Sequence, residues 1–349
     1  MVIDDIDRLS SDEALLIFRL VKSVGQLPKV TYLLAYDREV AEKIVSERYS
    51  SEGPHYLEKI VQAGFDIPYP LRSDLRNVFI KSLEALWKES EESIYWKEYQ
   101  ESEFRHFWNL FNNIVDFYIQ SPRDIIRIMN RLRVTWPAVA SDVDPADFLA
   151  LETLQVKQPS LYTILKANKQ KLTDVMSISI TGEDKTDTQS RYEKIFLSEF
   201  QGEKHENMKK ALSHLFPLLK VVWWGDAVWG TNSVSPRDQE EWKRQRRACS
   251  LEHFDTYFRF SLSQETISMT EVQAIIKNSQ NADYVKNALL QASQTQKRNG
   301  SGTYASILLD ELKLHVKNIS IEHAEVFLSA LFEVHDVIDM ESDQSSGLI

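Results

Sequence analysis

Val2-Ile3-Asp4-Asp5-Ile6-Asp7-Arg8-Leu9 opens the chain, and its reading decides the fold. Two β-branched apolar residues followed at once by acids describe a buried strand that presents carboxylates at its tip. At a phosphoryl-transfer site such a tip has two jobs. One acid holds Mg²⁺, usually through water, and the next polarises the attacking water. On that reading Asp4 is the metal acid and Asp5 the base, while Asp7 and Arg8 begin the next loop and can face a phosphate or a neighbouring subunit. The plain alternative is an acidic N-terminus that caps a helix, and an octapeptide does not choose between the two.

The following residues alternate as an α/β unit does. Ser10 and Glu13 form a capping box ahead of Ala14, Leu15, Phe18 and Val21, one apolar face of a helix that should end at Gly25. Val30 to Ala35 reads as a buried strand that ends at Tyr36-Asp37-Arg38, where the next helix starts. A third short strand is expected at Ala63 to Ile67, stopped by Pro68. Strands alternating with helices of this length imply a parallel sheet. From about residue 70 the pattern is helical, with helices at Leu71 to Trp87, Phe104 to Ile119 and from Ser121-Pro122 to Arg133. The charged stretch from Lys88 to Glu103 reads as a solvated connection. Pro137 and Pro145 mark a junction, and the remainder is helical with polar loops at 181–190, 230–240 and 294–303.

Four stretches, taken in order, resemble the KAP family of P-loop NTPases. They are Ile3-Asp4-Asp5-Ile6-Asp7-Arg8-Leu9, which looks like a Walker B motif, and Val30-Thr31-Tyr32-Leu33-Leu34-Ala35-Tyr36-Asp37-Arg38, which resembles the following strand and its polar tip. Then come Tyr56-Leu57-Glu58-Lys59-Ile60-Val61-Gln62 with Phe65-Asp66-Ile67-Pro68, and Ser121-Pro122-Arg123-Asp124 continuing to Arg127, Asn130 and Arg131. Arg247 to Phe260 also looks like the family's helical tail. The resemblance implies a partial parallel P-loop sheet from the Walker B strand onward, then a helical lid, over residues 1–135, with a helical C-terminal region over 136–349. It implies ATP and Mg²⁺ as cofactors of the complete protein. It places Asp37 near the γ-phosphate and makes Arg123 a catalytic sensor on the lid, its guanidinium reaching phosphate oxygens. Arg127 and Arg131 fall near the same helix face, and pairing with acids is the favoured reading of both. Such a role suggests membrane-linked signalling or phage defence.

The chain contains no Gly-x-x-x-x-Gly-Lys-Ser/Thr loop to cradle phosphates. Gly225-Asp226-Ala227-Val228-Trp229-Gly230-Thr231 has the glycine spacing but lacks the lysine. The family would place that loop, and often membrane-spanning segments, ahead of Met1. Met1 is therefore not expected to be the natural beginning of a domain. The N-terminal sheet is expected to have unpaired edges, and this chain alone is not expected to turn over ATP. A second reading of the same facts is a helical interaction scaffold with a relic NTPase segment and no turnover, binding protein partners or further copies of itself.

Composition bounds both readings. The chain has 349 residues, 43% hydrophobic and 27% charged, with eight Trp, 13 Tyr and 16 Phe, which is a folded rather than a disordered profile. A formal net charge of -11 argues against general nucleic-acid binding. With one cysteine, Cys249, no internal disulfide forms, and a cytoplasmic place is expected, at most peripheral to the inner face of a membrane. Cys249 and His253 lie four residues apart but lack the second pair a zinc site needs. Lys243, Arg244, Arg246 and Arg247, beside Trp242, read as a solvated helix face balanced by Glu240 and Glu241.

Overall fold

The computed structural model describes residues 1–23, 27–48, 55–89, 101–174, 185–225, 234–261, 266–295 and 303–344. Gly25, the stretch 90–100 and the loop 226–233 lie outside the described residues. The chain divides into two compact units, Met1–Tyr69 and Pro70–Ile349.

In the first unit β1 (Val2–Ile3) pairs in parallel with β2 (Leu33–Leu34), Val2 opposite Leu33 and Ile3 opposite Leu34. Parallel strands need a crossover between them. Here it is a 3₁₀ turn at Ile6–Arg8 and α1 (Ser11–Ser23). The predicted capping box starts α1, with Glu13 Oε2 accepting from the Ser10 N–H at 3.0 Å and from its hydroxyl at 2.7 Å. Ala14, Leu15 and Phe18 then bury against Ala41, Ile44 and Val45 of α2 (Arg38–Arg48) and Tyr56 and Leu57 of α3 (His55–Glu58). Ile6 joins the same core and anchors the acidic turn.

The sheet is shorter than the sequence predicts. Val30 to Ala35 contributes only Leu33–Leu34 as strand. Ala63 to Ile67 forms no strand, and Phe65 and Ile67 are each 88% exposed. An extended segment is held by ladder bonds from a neighbour, and among the described residues none lies beside 63–67.

The second unit is helical. α4 (Arg72–Glu89) is followed by α5 (Glu101–Leu110), a π turn at Phe111–Val115 and α6 (Asp116–Tyr118). α7 (Pro122–Thr135) leads through 3₁₀ turns at Trp136–Ala138 and Ala140–Asp142 to α8 (Pro145–Lys157). Every residue of α8 from Pro145 to Leu154 is buried, so it is a central helix with no solvent face. Around it aromatic rings interlock, Phe148 meeting Trp136 at 5.7 Å, Tyr257 at 6.3 Å and Phe260 at 6.4 Å. α9 (Pro159–Ala167), α10 (Lys169–Thr173), α11 (Lys185–Phe196), α12 (Glu203–Leu215), α13 (Pro217–Trp224), α14 (Pro236–Arg244) and α15 (Phe254–Arg259) complete this part. α16 (Met269–Lys277), α17 (Ala282–Gln294), α18 (Tyr304–Leu314) and α19 (Ala324–Gln344) close a separate core built on Val272, Val285, Leu289, Leu308 and Phe327. No helix among the described residues is long and apolar enough to cross a membrane.

Candidate functional site

The carboxyl ends of parallel strands are where α/β folds hold ligands, and in the first unit β1 and β2 both end in acids. Asp4 follows β1 directly, and its Oδ1 accepts the Asp5 N–H at 2.8 Å. Asp5 takes the left-handed conformation, φ 56°, which Asp tolerates better than most residues because its short side chain bonds locally. The chain thereby reverses, buries Ile6 and turns Asp5 outward, where its Oδ1 meets Arg8 Nε at 3.1 Å. Asp7 Oδ1 accepts the Asp37 N–H at 3.4 Å, which ties the β1 turn to the end of β2. Asp37 in turn caps α2, its Oδ1 accepting the Val40 N–H at 3.2 Å.

Five of the six sequence-predicted site residues, Asp4, Asp5, Asp7, Arg8 and Asp37, thus lie together at one end of the small sheet. The four aspartates offer carboxylate oxygens, the ligand type Mg²⁺ takes, commonly one or two at a time with water completing the octahedron. The exposure of Asp4 and Asp5 leaves room for that water. The residues present fit such an ion, and Asp4 is the acid that would hold it.

Arg123, the sixth residue, is exposed near the start of α7 in the second unit. The helix start is closely specified. Ser121 Oγ accepts the Asp124 N–H at 3.3 Å, Asp124 Oδ2 accepts the Ser121 N–H at 2.9 Å, and Pro122 fills the first helical position. Asp124 Oδ1 is held by Lys157 Nζ at 2.6 Å. Burial pushes the Asp124 carboxyl up, but Lys157 and Ser121 outweigh it and hold it below its ordinary range. Arg131 pairs with buried Glu152, Nε to Oε2 2.8 Å, and also meets Gln155, as the sequence predicts. Arg127 does not follow the prediction, since it has no acid partner among the described residues.

The larger correction concerns the basic cluster. Lys243 and Arg244 end α14, but Arg246 and Arg247 lie beyond it and are buried. Arg246 turns the chain inward at φ 54°. Its Nη1 meets Asp142 Oδ1 at 3.2 Å, its Nη2 meets Glu311 Oε2 at 3.4 Å, and both donate to the Ile267 carbonyl at 3.2 Å. Asp142 Oδ1 also accepts the Met269 N–H at 2.8 Å. Arg246 therefore joins the segment after α7 to the C-terminal helices. Arg247 grips Asp147, Nε to Oδ2 3.2 Å and Nη2 to Oδ1 3.4 Å. His106 Nε2 reaches Asp147 Oδ1 at 2.6 Å and the Ala248 N–H reaches Oδ2 at 2.9 Å. Tyr257 donates to the Arg246 carbonyl at 2.7 Å and accepts the Asp144 N–H at 2.8 Å.

His106, Asp144 and Asp147 bring one ligand atom each to within 4.8 Å of one another, so a metal there has to be considered. The geometry disfavours it. Both Asp147 oxygens face the Arg247 guanidinium, and Asp144 Oδ1 is taken by the Asp147 N–H at 2.9 Å. Burial pushes the Asp147 carboxyl up, and Arg247 and His106 more than offset it, leaving it below the ordinary range. Burial and the Asp147 charge push Asp144 up to about 6. This is an ion-pair network that lets acids sit inside the unit. Cys249 and His253 lie buried in the turns before α15, not on one helix. Burial raises the Cys249 thiol to about 12, far from a nucleophile's range.

Residues 1–139 match the KAP family P-loop domain. The Phage T7 exclusion protein of Escherichia coli (strain K12) is 32% identical over 166 residues, which is 46% of this chain and 21% of that protein. The chain thus spans about a fifth of the length of that relative. No solved structure matches.

Proposed function

We propose that this chain, whose residues 1–139 match the KAP family P-loop domain, supplies the metal-holding acids and the lid arginine of an ATP-hydrolysing switch. The observation that carries the proposal is the meeting of Asp4, Asp5, Asp7 and Asp37 at the carboxyl ends of β1 and β2. Asp4 would hold a Mg²⁺ ion, and Asp5 is the residue to orient the attacking water and take up its proton. Bound Mg²⁺ supplies charge neutralisation on the triphosphate. Arg8 pairs with the Asp5 carboxylate at 3.1 Å on the exposed side of the turn. The capping bond of Asp37 and the Asp7 tether hold the end of β2 rigid beside them. Arg123 contributes a planar donor for phosphate oxygens. Without a Gly-x-x-x-x-Gly-Lys-Ser/Thr loop the chain does not turn over ATP by itself. The phage-exclusion relative supports a role in defence against phage.

The test is ATP binding and turnover with Mg²⁺ by this chain, beside a version extended upstream to include a phosphate loop. Turnover in the extended protein, abolished by Asp5→Ala and made more demanding in Mg²⁺ by Asp4→Asn, is the expected result. Turnover that survives Asp5→Ala removes Asp5 from the mechanism. No turnover in either version favours the interaction scaffold.

A further inference from the structure

α7 and α19 each leave one stripe of side chains outside their core, and the two stripes are opposite in charge. On α7 the buried side is Ile125, Ile128, Met129 and Leu132. The exposed stripe across from it carries Ile126, Arg127, Arg133 and Val134, with Val134 79% exposed. Asp124 is the one acid of this helix; it is buried and pairs with Lys157, so the stripe is purely basic. α19 buries Phe327, Ala330 and Val334 in the C-terminal core. A 3₁₀ turn at Ile321–His323 leads directly into it. The exposed stripe there carries Ile321, Glu325, Leu328 and Phe332, with Ile321 92% and Phe332 73% exposed. Residues 321–335 contain no Lys or Arg. Glu333 pairs with Lys286, but among the described residues neither Glu322 nor Glu325 has a partner, and neither does Arg127 on α7.

Single exposed apolar side chains are ordinary. These two sets share a spacing. Arg127 and Val134 lie seven residues apart on α7, and Glu325 and Phe332 lie seven residues apart on α19. Seven residues make two helical turns, about 10 Å along the axis, and are the repeat at which paired helices meet. Laid parallel, the two helices bring Arg127 opposite Glu325 and Val134 opposite Phe332 in one register. Both stripes are bare within one chain, so they cover each other only between chains. We infer that the α19 stripe of one copy docks on the α7 stripe of a second copy. Leu328 and Phe332 supply the apolar centre, Ile126 and Val134 the surface they cover, and the Arg127–Glu325 pair fixes the register. The two surfaces differ, so the contact is heterologous and each added copy leaves a stripe free for the next. A formal net charge of -11 makes copies repel in general, and the basic stripe of α7 is where an acidic helix of another copy meets attraction instead. Two short helix faces bury less than a standard interface, which sets the affinity in about the micromolar range or weaker. The inference stands apart from the NTPase reading, because Arg123 is not needed for the contact.

The experiment is sedimentation velocity of the full chain over a concentration series from about 1 to about 200 μM. The parent is expected to gain mass with concentration. Phe332→Asp and Val134→Asp, each alone, should remain monomeric over the series, a loss of affinity of at least about tenfold. Mixed in equal amounts, the two variants should form a dimer and nothing larger, because each keeps the stripe that the other has lost. Such a dimer also shows that both variants are folded. Arg127→Glu should weaken association of the parent, and adding Glu325→Arg in the same chain should restore it, because the pair is then exchanged. A parent that stays monomeric throughout overturns the inference, whether another protein or nothing covers the stripes. Self-association of Val134→Asp alone means that α19 pairs with itself, and that also overturns it. So does the absence of a dimer in the mixture when the urea midpoints of both variants match that of the parent.

Discussion

Asp147→Asn tests the buried network most directly. The parent carboxylate is fully buried and accepts from His106 Nε2 at 2.6 Å, Arg247 Nε at 3.2 Å, Arg247 Nη2 at 3.4 Å and the Ala248 N–H at 2.9 Å. An amide keeps the shape but removes the charge, and it turns an NH₂ group toward donors on one side. Arg247 is then left as a buried cation with only Asp144 nearby to compensate it. Removing one partner of a buried pair costs about 3–5 kcal/mol, and the proximity of Asp144 places the expected loss near about 3 kcal/mol. All eight Trp lie beyond Tyr69, so tryptophan fluorescence during urea unfolding reports the second unit alone. With a slope of about 1–3 kcal/mol per molar urea, the midpoint should fall by about 1–3 M at unchanged slope. The double variant Asp147→Asn, Arg247→Met should cost clearly less than the sum of the two single changes, since they share one interaction. A midpoint shift below about 0.3 M for Asp147→Asn, or full additivity, would refute the claim that the pair is desolvated and mutually dependent.

Other outcomes follow from the same geometry. Asp144 has its pKa raised to about 6 from 3.8, so the folded state takes up a proton that the unfolded state does not between those values, and parent stability falls as pH rises through that window. Asp144→Asn keeps an oxygen for the Asp147 N–H and should gain on the parent steadily from about pH 4 to about pH 6, read by urea midpoints. His315 behaves oppositely. Burial, then Arg246 and Arg244, lower it from 6.5 to about 4, so its contribution is present above its unfolded value and is lost as pH falls toward about 4. His315→Gln should flatten that acid loss, measured in the same titration. Ser121→Ala removes the α7 cap and should cost about 1 kcal/mol in urea unfolding.

What was legible in the sequence is what is decided locally. The acids after Val2-Ile3, the Ser10–Glu13 box and the helix start at Ser121-Pro122 each lie within a few residues of chain, and each is found where its residue types place it. Leu33–Leu34 was legible as strand, but its length was not, because strand length is set by the partner. The same reason removes the strand at Ala63 to Ile67. The Arg246 and Arg247 network was hidden because its partners Asp142 and Asp147 lie 104 and 100 residues away, and nothing in a run of basic residues reveals a distant acid. α14 starts at Pro236 under the Ser235 cap and ends after nine residues at Arg244, so Arg246 and Arg247 fall outside its face. Arg127 stays exposed on α7, while Arg131 one turn on reaches the buried Glu152, a difference that the i+4 spacing alone does not reveal.

The separation between α8 and its guanidinium partners also orders events on the ribosome. Asp147 leaves the exit tunnel 100 residues before Arg247 does, and at about 5–20 residues per second that gap lasts on the order of 5–20 s. For that interval the carboxylate lacks its guanidinium partner and has only His106 of the final side-chain network beside it, so it stays hydrated. α8, which ends up without a solvent face, is then enclosed late although it is made early. The second unit is expected to stay open to chaperones throughout, and a nascent chain stalled before Arg246 should remain as sensitive to protease as an unfolded one.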